Sequence, residues 1–147
     1  MNPTDAIRPA HVEVSLGAIA QNYHAIRAHV GTASVMPVVK ANAYGHGIVE
    51  VARHLMNLGA PCLGVALLEE AIVLRQAGIT LPILVFGGVA TRQIPQFIAH
   101  DLMMAASSID KLRQIDEAAA AVKTKARVHL KIDTGMERIG VHWFNAE

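Results

Sequence analysis

The chain has 147 residues, 52% of them hydrophobic, and a formal net charge of +1 from 13 Lys and Arg against 12 Asp and Glu. That length carries one domain with a real core, and that apolar content excludes a disordered or tail-like chain. The balanced charge leaves no basic field for nucleic acid or acidic membranes, and Lys123, Lys125 and Arg127 read as a solvated helix end.

Ser15 is an N-cap candidate, and Leu16, Ile19, Tyr23, Ile26 and Val30 follow at three- and four-residue spacing. The pattern predicts an amphipathic helix closed by Gly31. The run 34–39, SVMPVV, predicts a first strand. Ile48, Val51, Ala52, Leu55 and Leu58 mark a second helix with Gly59 at its end. Residues 62–66 predict a second strand, and 67–78 a helix ending at Gly78. Residues 82–86 predict a third strand, Thr91 a cap for a helix to about Ala99, and 102–105 a fourth strand. Ser107 or Ser108 caps a helix through Val122 with Ile109, Leu112, Ile115 and Ala119 on one face, and 127–132 is the fifth strand.

Strands alternating with helices imply a parallel sheet. It could be doubly wound or the start of a (β/α)8 barrel. In the fifth strand Val128, Leu130 and Ile132 point one way, while His129, Lys131 and Asp133 point the other. A polar row of that kind suits a barrel interior near its rim better than a sheet covered on both faces. Met36, Val38 and Lys40 share a face of the first strand. Lys40 and Lys131 therefore fall at C-terminal strand ends, where barrel enzymes place their chemistry. A complete barrel takes about 250 residues, so this chain would hold only its first part.

Cys62 is the one cysteine; it excludes an internal disulfide framework, fits a reducing compartment, and reads as an inert core residue. No run approaches the roughly 18 apolar residues of a membrane-spanning helix. The opening MNPTDAIRPAHVEV lacks the charged and apolar regions of a leader, so a cytoplasmic protein is expected. Eight histidines occur without HExxH or a cysteine pair, which argues against a metal site. Gly87-Gly88 is not a dinucleotide fingerprint, and Met103-Met104 reads as core filling.

The stretch VVKANAYGHG, residues 38–47, is the strongest chemical signal. A lone lysine ending a strand is most often a surface charge. Here it enters a small-residue loop leading to a helix expected from His46 or Gly47. Such a loop lets backbone N–H groups and a hydroxyl approach a phosphate at a helix N-terminus. An amine partly desolvated by apolar neighbours forms a Schiff base with an aldehyde. Lysine, hydroxyl and phosphate-friendly loop together point to pyridoxal phosphate.

VVKANAYGHG, together with LKIDTGMERIG at residues 130–140, closely resembles the two best-marked segments of the alanine racemase family. The resemblance runs from HVEVSLGAIAQNYHAI, beginning at residue 11, to Val141. It implies a fold-type III pyridoxal-phosphate barrel followed by a β-rich C-terminal domain. Residues 1–147 would be the N-terminal part of the barrel domain, with the rest lying beyond Glu147. It also implies an isomerase of D-alanine biosynthesis, with alanine as substrate and a homodimer as the complete protein.

By the same resemblance, Lys40 holds the cofactor as an internal aldimine and is the racemising base on the D-face. Tyr44 binds the cofactor phosphate, and Arg138 contacts the cofactor phenolic oxygen and the substrate carboxylate. Lys131 matches the family's often carbamylated lysine, whose carbamate would hold Arg138 by a charge-assisted bond. Phe86 falls where an apolar side chain lies beside the cofactor. The second base would be a tyrosine from the other subunit's C-terminal domain, so this chain alone is expected to be inactive.

Glu137 is a departure, since many members read TGMGRLG where this chain reads TGMERIG; its side chain is expected in solvent. Without the resemblance, Lys131 reads as an ion-pair partner of Asp133 or Glu137, Arg138 as a loop salt bridge, and Tyr44 as a rim aromatic. Three alternatives stand beside the racemase: a non-catalytic pyridoxal-phosphate carrier, a fold-type III decarboxylase, and a non-enzymatic half-barrel completed by a partner chain.

Overall fold

The computed structural model describes residues 11–145. The expected absence of a leader rests mainly on residues 1–10, outside the described residues. Helix α1 spans Leu16–Val30 as predicted: the Ser15 hydroxyl accepts the Ala18 N–H at 3.2 Å, and Gly31 ends the helix at φ 64°. Its apolar stripe is only half covered. Tyr23 is buried and Leu16 and Ile19 pack against the core, but Ile26 and Val30 are exposed. Ile26 lines an open apolar groove with Val38 and with Val51 and Leu55 of α2 (Ile48–Asn57).

The strand expected over 34–39 shrinks to a single parallel bridge, Val38 with Gly64. Two hydrogen bonds make it: Gly64 N–H donates to the Pro37 carbonyl and Val39 N–H to the Gly64 carbonyl, each at 2.8 Å. Pro37 has no N–H to extend a ladder, and the chain leaves the extended conformation at Val39, whose ψ is 20°.

Regular strand–helix alternation follows. It runs β1 (Leu63–Val65), α3 (Leu68–Gln76), β2 (Ile83–Val85), α4 (Ile94–Ala99), β3 (Met103–Ala106), α5 (Ile109–Ala121) and β4 (Val128–Leu130). The four strands form one parallel sheet in the order β1-β2-β3-β4, with Leu63 opposite Ile83, Leu84 opposite Met103 and Met104 opposite Val128. Each strand joins the side of its predecessor, the progression of a barrel; a doubly wound sheet reverses at a switch point.

The core lies between the outer sheet face and the helices. Leu63, Val65, Ile83, Val85 and Met104 meet Leu74, Ile94, Phe97 and Ile115, all at most 2% exposed. Burying each such side chain stabilises the fold by about 1.5–3 kcal/mol. Of the two serine candidates Ser108 caps α5, accepting the Lys111 N–H at 3.1 Å. Ile109, expected on the buried face, is exposed at the first position of that helix.

Thr91 is not a cap. It opens a 3-10 turn over Thr91–Gln93 and its hydroxyl donates to Gln114 Oε1 at 2.7 Å, while Gln93 Oε1 accepts the Ala90 N–H at 3.1 Å. Lys123 and Lys125 are exposed as expected, and Arg127 pairs with Asp101 at 2.7 Å. Cys62 is half-buried, and burial pushes its thiol pKa up. Among the described residues no helix is long and apolar enough to cross a membrane.

The expected fifth strand is two short ladders that change partner at Lys131. Its N–H donates to the Ala106 carbonyl and its own carbonyl accepts the Val141 N–H, both at 2.9 Å. Beyond it, β5 (Ile132–Asp133) pairs in parallel with β6 (Val141–His142).

Candidate active site

A cavity of about 760 Å³ opens over the inner face of the sheet and the C-terminal strand ends. Side-chain alternation builds it. Ile83 and Val85 point into the helix layer, leaving Leu84 on the inner face, with Ala105 on β3 and His129 on β4 beside it. Lys40, Phe86, Lys131 and Arg138 also line the cavity. Gly64 makes room for Phe86 across β1, because a Cβ there would stand 2.5 Å from the ring.

Lys40 is half-buried and opens a turn over Lys40–Tyr44 that is left-handed. Ala41, Asn42, Ala43 and Tyr44 take φ of 52°, 56°, 52° and 55°. The conformation costs roughly 1–2 kcal/mol per residue carrying a Cβ, so four in succession need external ties. Ala43 N–H donates to the Val39 carbonyl at 2.9 Å, and Asn42 Oδ1 accepts the Ile48 N–H at 2.9 Å. Glu70 Oε1 accepts the Ala41 N–H at 2.6 Å. The helix expected from His46 or Gly47 starts at Ile48, after this turn.

Tyr44 is 62% exposed, and its ring centroid lies 6.0 Å from Lys40 Nζ. It stands beside the lysine without lining the cavity. The structure thus gathers Lys40, Phe86, Lys131 and Arg138 on one cavity and leaves Tyr44 at its edge.

Arg138 is carried by a loop that Asp133 organises. Asp133 is buried, and its Oδ1 accepts the N–H of Gly135 at 2.8 Å and of Glu137 at 3.1 Å. Those two donors hold its carboxyl below the usual carboxylate range; burial opposes them, and the N–H groups of Met136 and Arg138 add to them. Asp133 therefore faces the loop and is not among the residues lining the cavity with His129 and Lys131.

Among the described residues, the ion pairs expected for Lys131 and Arg138 without the family context do not form; the salt bridges there are Arg113–Asp110 and Arg127–Asp101. Glu137 is exposed on the loop, with φ 59°.

Among the described residues the cavity lining therefore holds three cationic side chains and a histidine, with no aspartate or glutamate. That set suits an anionic ligand. It also fits pyridoxal phosphate: an amine for its aldehyde, cations for its phenolate and phosphate, and Leu84 and Phe86 as apolar surfaces for its ring. Two roles go unforeseen in the sequence, which places Asp133 in the polar row or as an ion-pair partner of Lys131 and does not single out Glu70 at all. Asp133 has a signal in Asp-Thr-Gly, an acceptor ahead of a turn, whereas nothing local to Glu70, an acid in the first turn of a helix, points 29 residues back to Ala41.

Fold and site together define a class: the start of a pyridoxal-phosphate-type (β/α) barrel, with a cationic, lysine-bearing cavity at the C-terminal ends of its strands. The chain belongs to the alanine racemase family, whose model "Alanine racemase, N-terminal domain" matches residues 14–147. Alanine racemase 1 of Oceanobacillus iheyensis is 42% identical over 135 residues, covering 91% of this chain and 36% of that protein. The structure of alanine racemase from Clostridium difficile 630 superposes with a TM-score of 0.85 at 38% identity, over 88% of this chain and 34% of that one. A histidine racemase from Leuconostoc mesenteroides gives 0.82 at 32% identity, over 88% of this chain and 35% of that one. This chain spans about a third of the length of the curated relatives it matches.

Proposed function

We propose that this chain provides the lysine side of an amino-acid racemase that uses pyridoxal phosphate and acts on alanine. The observation that carries the reading is one cavity lined by Lys40, Lys131 and Arg138, with no carboxylate in its lining among the described residues. Lys40 Nζ would hold the cofactor aldehyde, Tyr44 would hold its phosphate, and Arg138 its phenolic oxygen. When bound, the cofactor withdraws electrons from the substrate Cα and so acidifies the α-hydrogen.

The remaining chemistry falls to the side chains. Arg138 orients the substrate by its carboxylate, and neutral Lys40 Nζ moves the α-proton on its own face. Phe86 and Leu84 cover the apolar side and limit water. Three clustered cations repel one another, and a carbamate on Lys131 would relieve this. The ammonium first loses a proton; the neutral amine then adds carbon dioxide and releases a second, so a positive group becomes a negative carbamate that holds Arg138.

Racemisation needs a second base on the opposite face. We place it, with the rest of the barrel, outside the present 147 residues, as a tyrosine of the partner subunit's C-terminal domain in a homodimer. Alanine is assigned because the relatives named here are mostly alanine racemases.

The test is α-hydrogen exchange of D-alanine in heavy water, measured together with conversion to L-alanine. Exchange that needs both pyridoxal phosphate and Lys40, without conversion by this chain alone, is the expected result. Cofactor uptake without exchange would favour the carrier reading. Conversion by the chain alone would overturn the placement of the second base.

A further inference from the structure

We infer that Glu70 is a positioning residue for Lys40, fixing the left-handed turn to the first strand–helix corner; this rests on reading Lys40 as the cofactor lysine. Glu70 is the third residue of α3, and its carboxylate collects three backbone N–H groups. Oε2 accepts from Ala66 at 2.8 Å and from Leu67 at 3.0 Å, while Oε1 accepts from Ala41 at 2.6 Å.

The Leu67 bond is an ordinary cap, half of a capping box, since the leucine side chain has no acceptor to return. A cap would need no more than that. The Ala41 bond spans 29 residues to the amide directly after Lys40. Ala41 is also the first residue of the left-handed run, and Ala66 lines the same cavity as Lys40. Asn42 ties the turn forward to α2, whereas Glu70 ties it to the end of β1. One carboxylate thus sets where the Lys40 backbone stands relative to the cavity floor.

The test compares Glu70→Gln with Glu69→Gln in the full chain. Both remove one negative charge from the first turn of α3, but Glu69 is exposed and makes none of these bonds. Glutamine at 70 keeps one acceptor oxygen, which serves the two donors Ala66 and Leu67, and sets its NH2 group against the Ala41 N–H, so the arm to the turn is the one lost.

Two readouts decide the matter: pyridoxal phosphate affinity by its visible absorbance, and amide hydrogen exchange peptide by peptide. In Glu70→Gln we expect about ten-fold weaker cofactor binding, the size of a lost charge-assisted bond, with faster exchange over residues 41–45. Exchange in α3 and the melting midpoint should match Glu69→Gln. Unchanged exchange over 41–45, or a rise shared equally by α3 and β1, would overturn the positioning role and leave a simple cap. Failure of the unmodified chain to take up pyridoxal phosphate would sink the racemase reading, and exchange over 41–45 would then decide for or against Glu70 by itself.

Discussion

Gly140 is pressed against Lys131: a Cβ on Gly140 would stand 2.8 Å from the Lys131 carbonyl oxygen and 3.0 Å from its Cγ. Its φ of 130° is also one that residues with a Cβ rarely adopt. The contact lets β6 pair beside the cavity lysine and brings the Arg138 loop back to the sheet. Gly140→Ala should therefore lose about 1–3 kcal/mol in urea unfolding. Gly17→Ala, on an open face of α1, should instead gain about 0.5–1 kcal/mol from helix propensity. Equal effects of the two substitutions would contradict the close approach at Lys131.

Asp133 gives the Arg138 loop a pH dependence of definite sign. Its folded pKa is depressed by the N–H groups of Gly135 and Glu137. Its ionised form thus adds stability that is present above the unfolded pKa, near 3.9, and lost as pH falls through the lower folded value. Asp133→Asn keeps an acceptor oxygen but removes the charge. The stability gap between the two proteins should stay constant from neutral pH to about 4 and close below it. Denaturation curves at a series of pH values check this; a gap that widens in acid would be the wrong sign.

Arg75 holds the far ends of the strands together. Its Nε donates to the His100 carbonyl at 3.0 Å, Nη1 to Ile79 at 2.7 Å and Leu81 at 2.8 Å, and Nη2 to Asp101 at 3.2 Å. Lysine keeps the charge but cannot fork to four carbonyls. Arg75→Lys should cost about 1.5–3 kcal/mol in urea unfolding, with pyridoxal phosphate binding unchanged in the folded protein. An equal loss of cofactor affinity would mean that this end of the sheet also shapes the cavity.

The frame of the fold was legible because its strands are short apolar runs and its helices carry period and caps. Ser15 and Ser108 stand where their N-cap oxygens are used, and β1 to β3 sit within a residue or so of the runs that announced them. The shortened strand at 34–39 also had its signal in Pro37, which cannot extend a ladder. The left-handed turn had none: of Ala41, Asn42, Ala43 and Tyr44, Asn42 alone favours that region. What holds it there includes a carboxylate 29 residues away, beyond the reach of local preference.

The site divides the same way. Lys40 and Lys131 could be placed on one cavity from strand alternation and their positions at strand ends. Asp133 follows the same alternation, yet the turn at Gly135 draws its carboxylate into the loop. Arg138 comes to the cavity through that turn and the close approach of Gly140, both three-dimensional facts. Thr91 shows the limit of cap signals, since a better partner for its hydroxyl lies on α5.

The claim that Lys40 is the cofactor lysine can be tested by mixing the chain with pyridoxal phosphate, reducing with borohydride, and mapping the labelled peptide by mass spectrometry. We predict one dominant label, on Lys40, which disappears in Lys40→Ala while Lys123 and Lys125 stay unlabelled. Absence of label on Lys40, or label spread evenly over the exposed lysines, would contradict it.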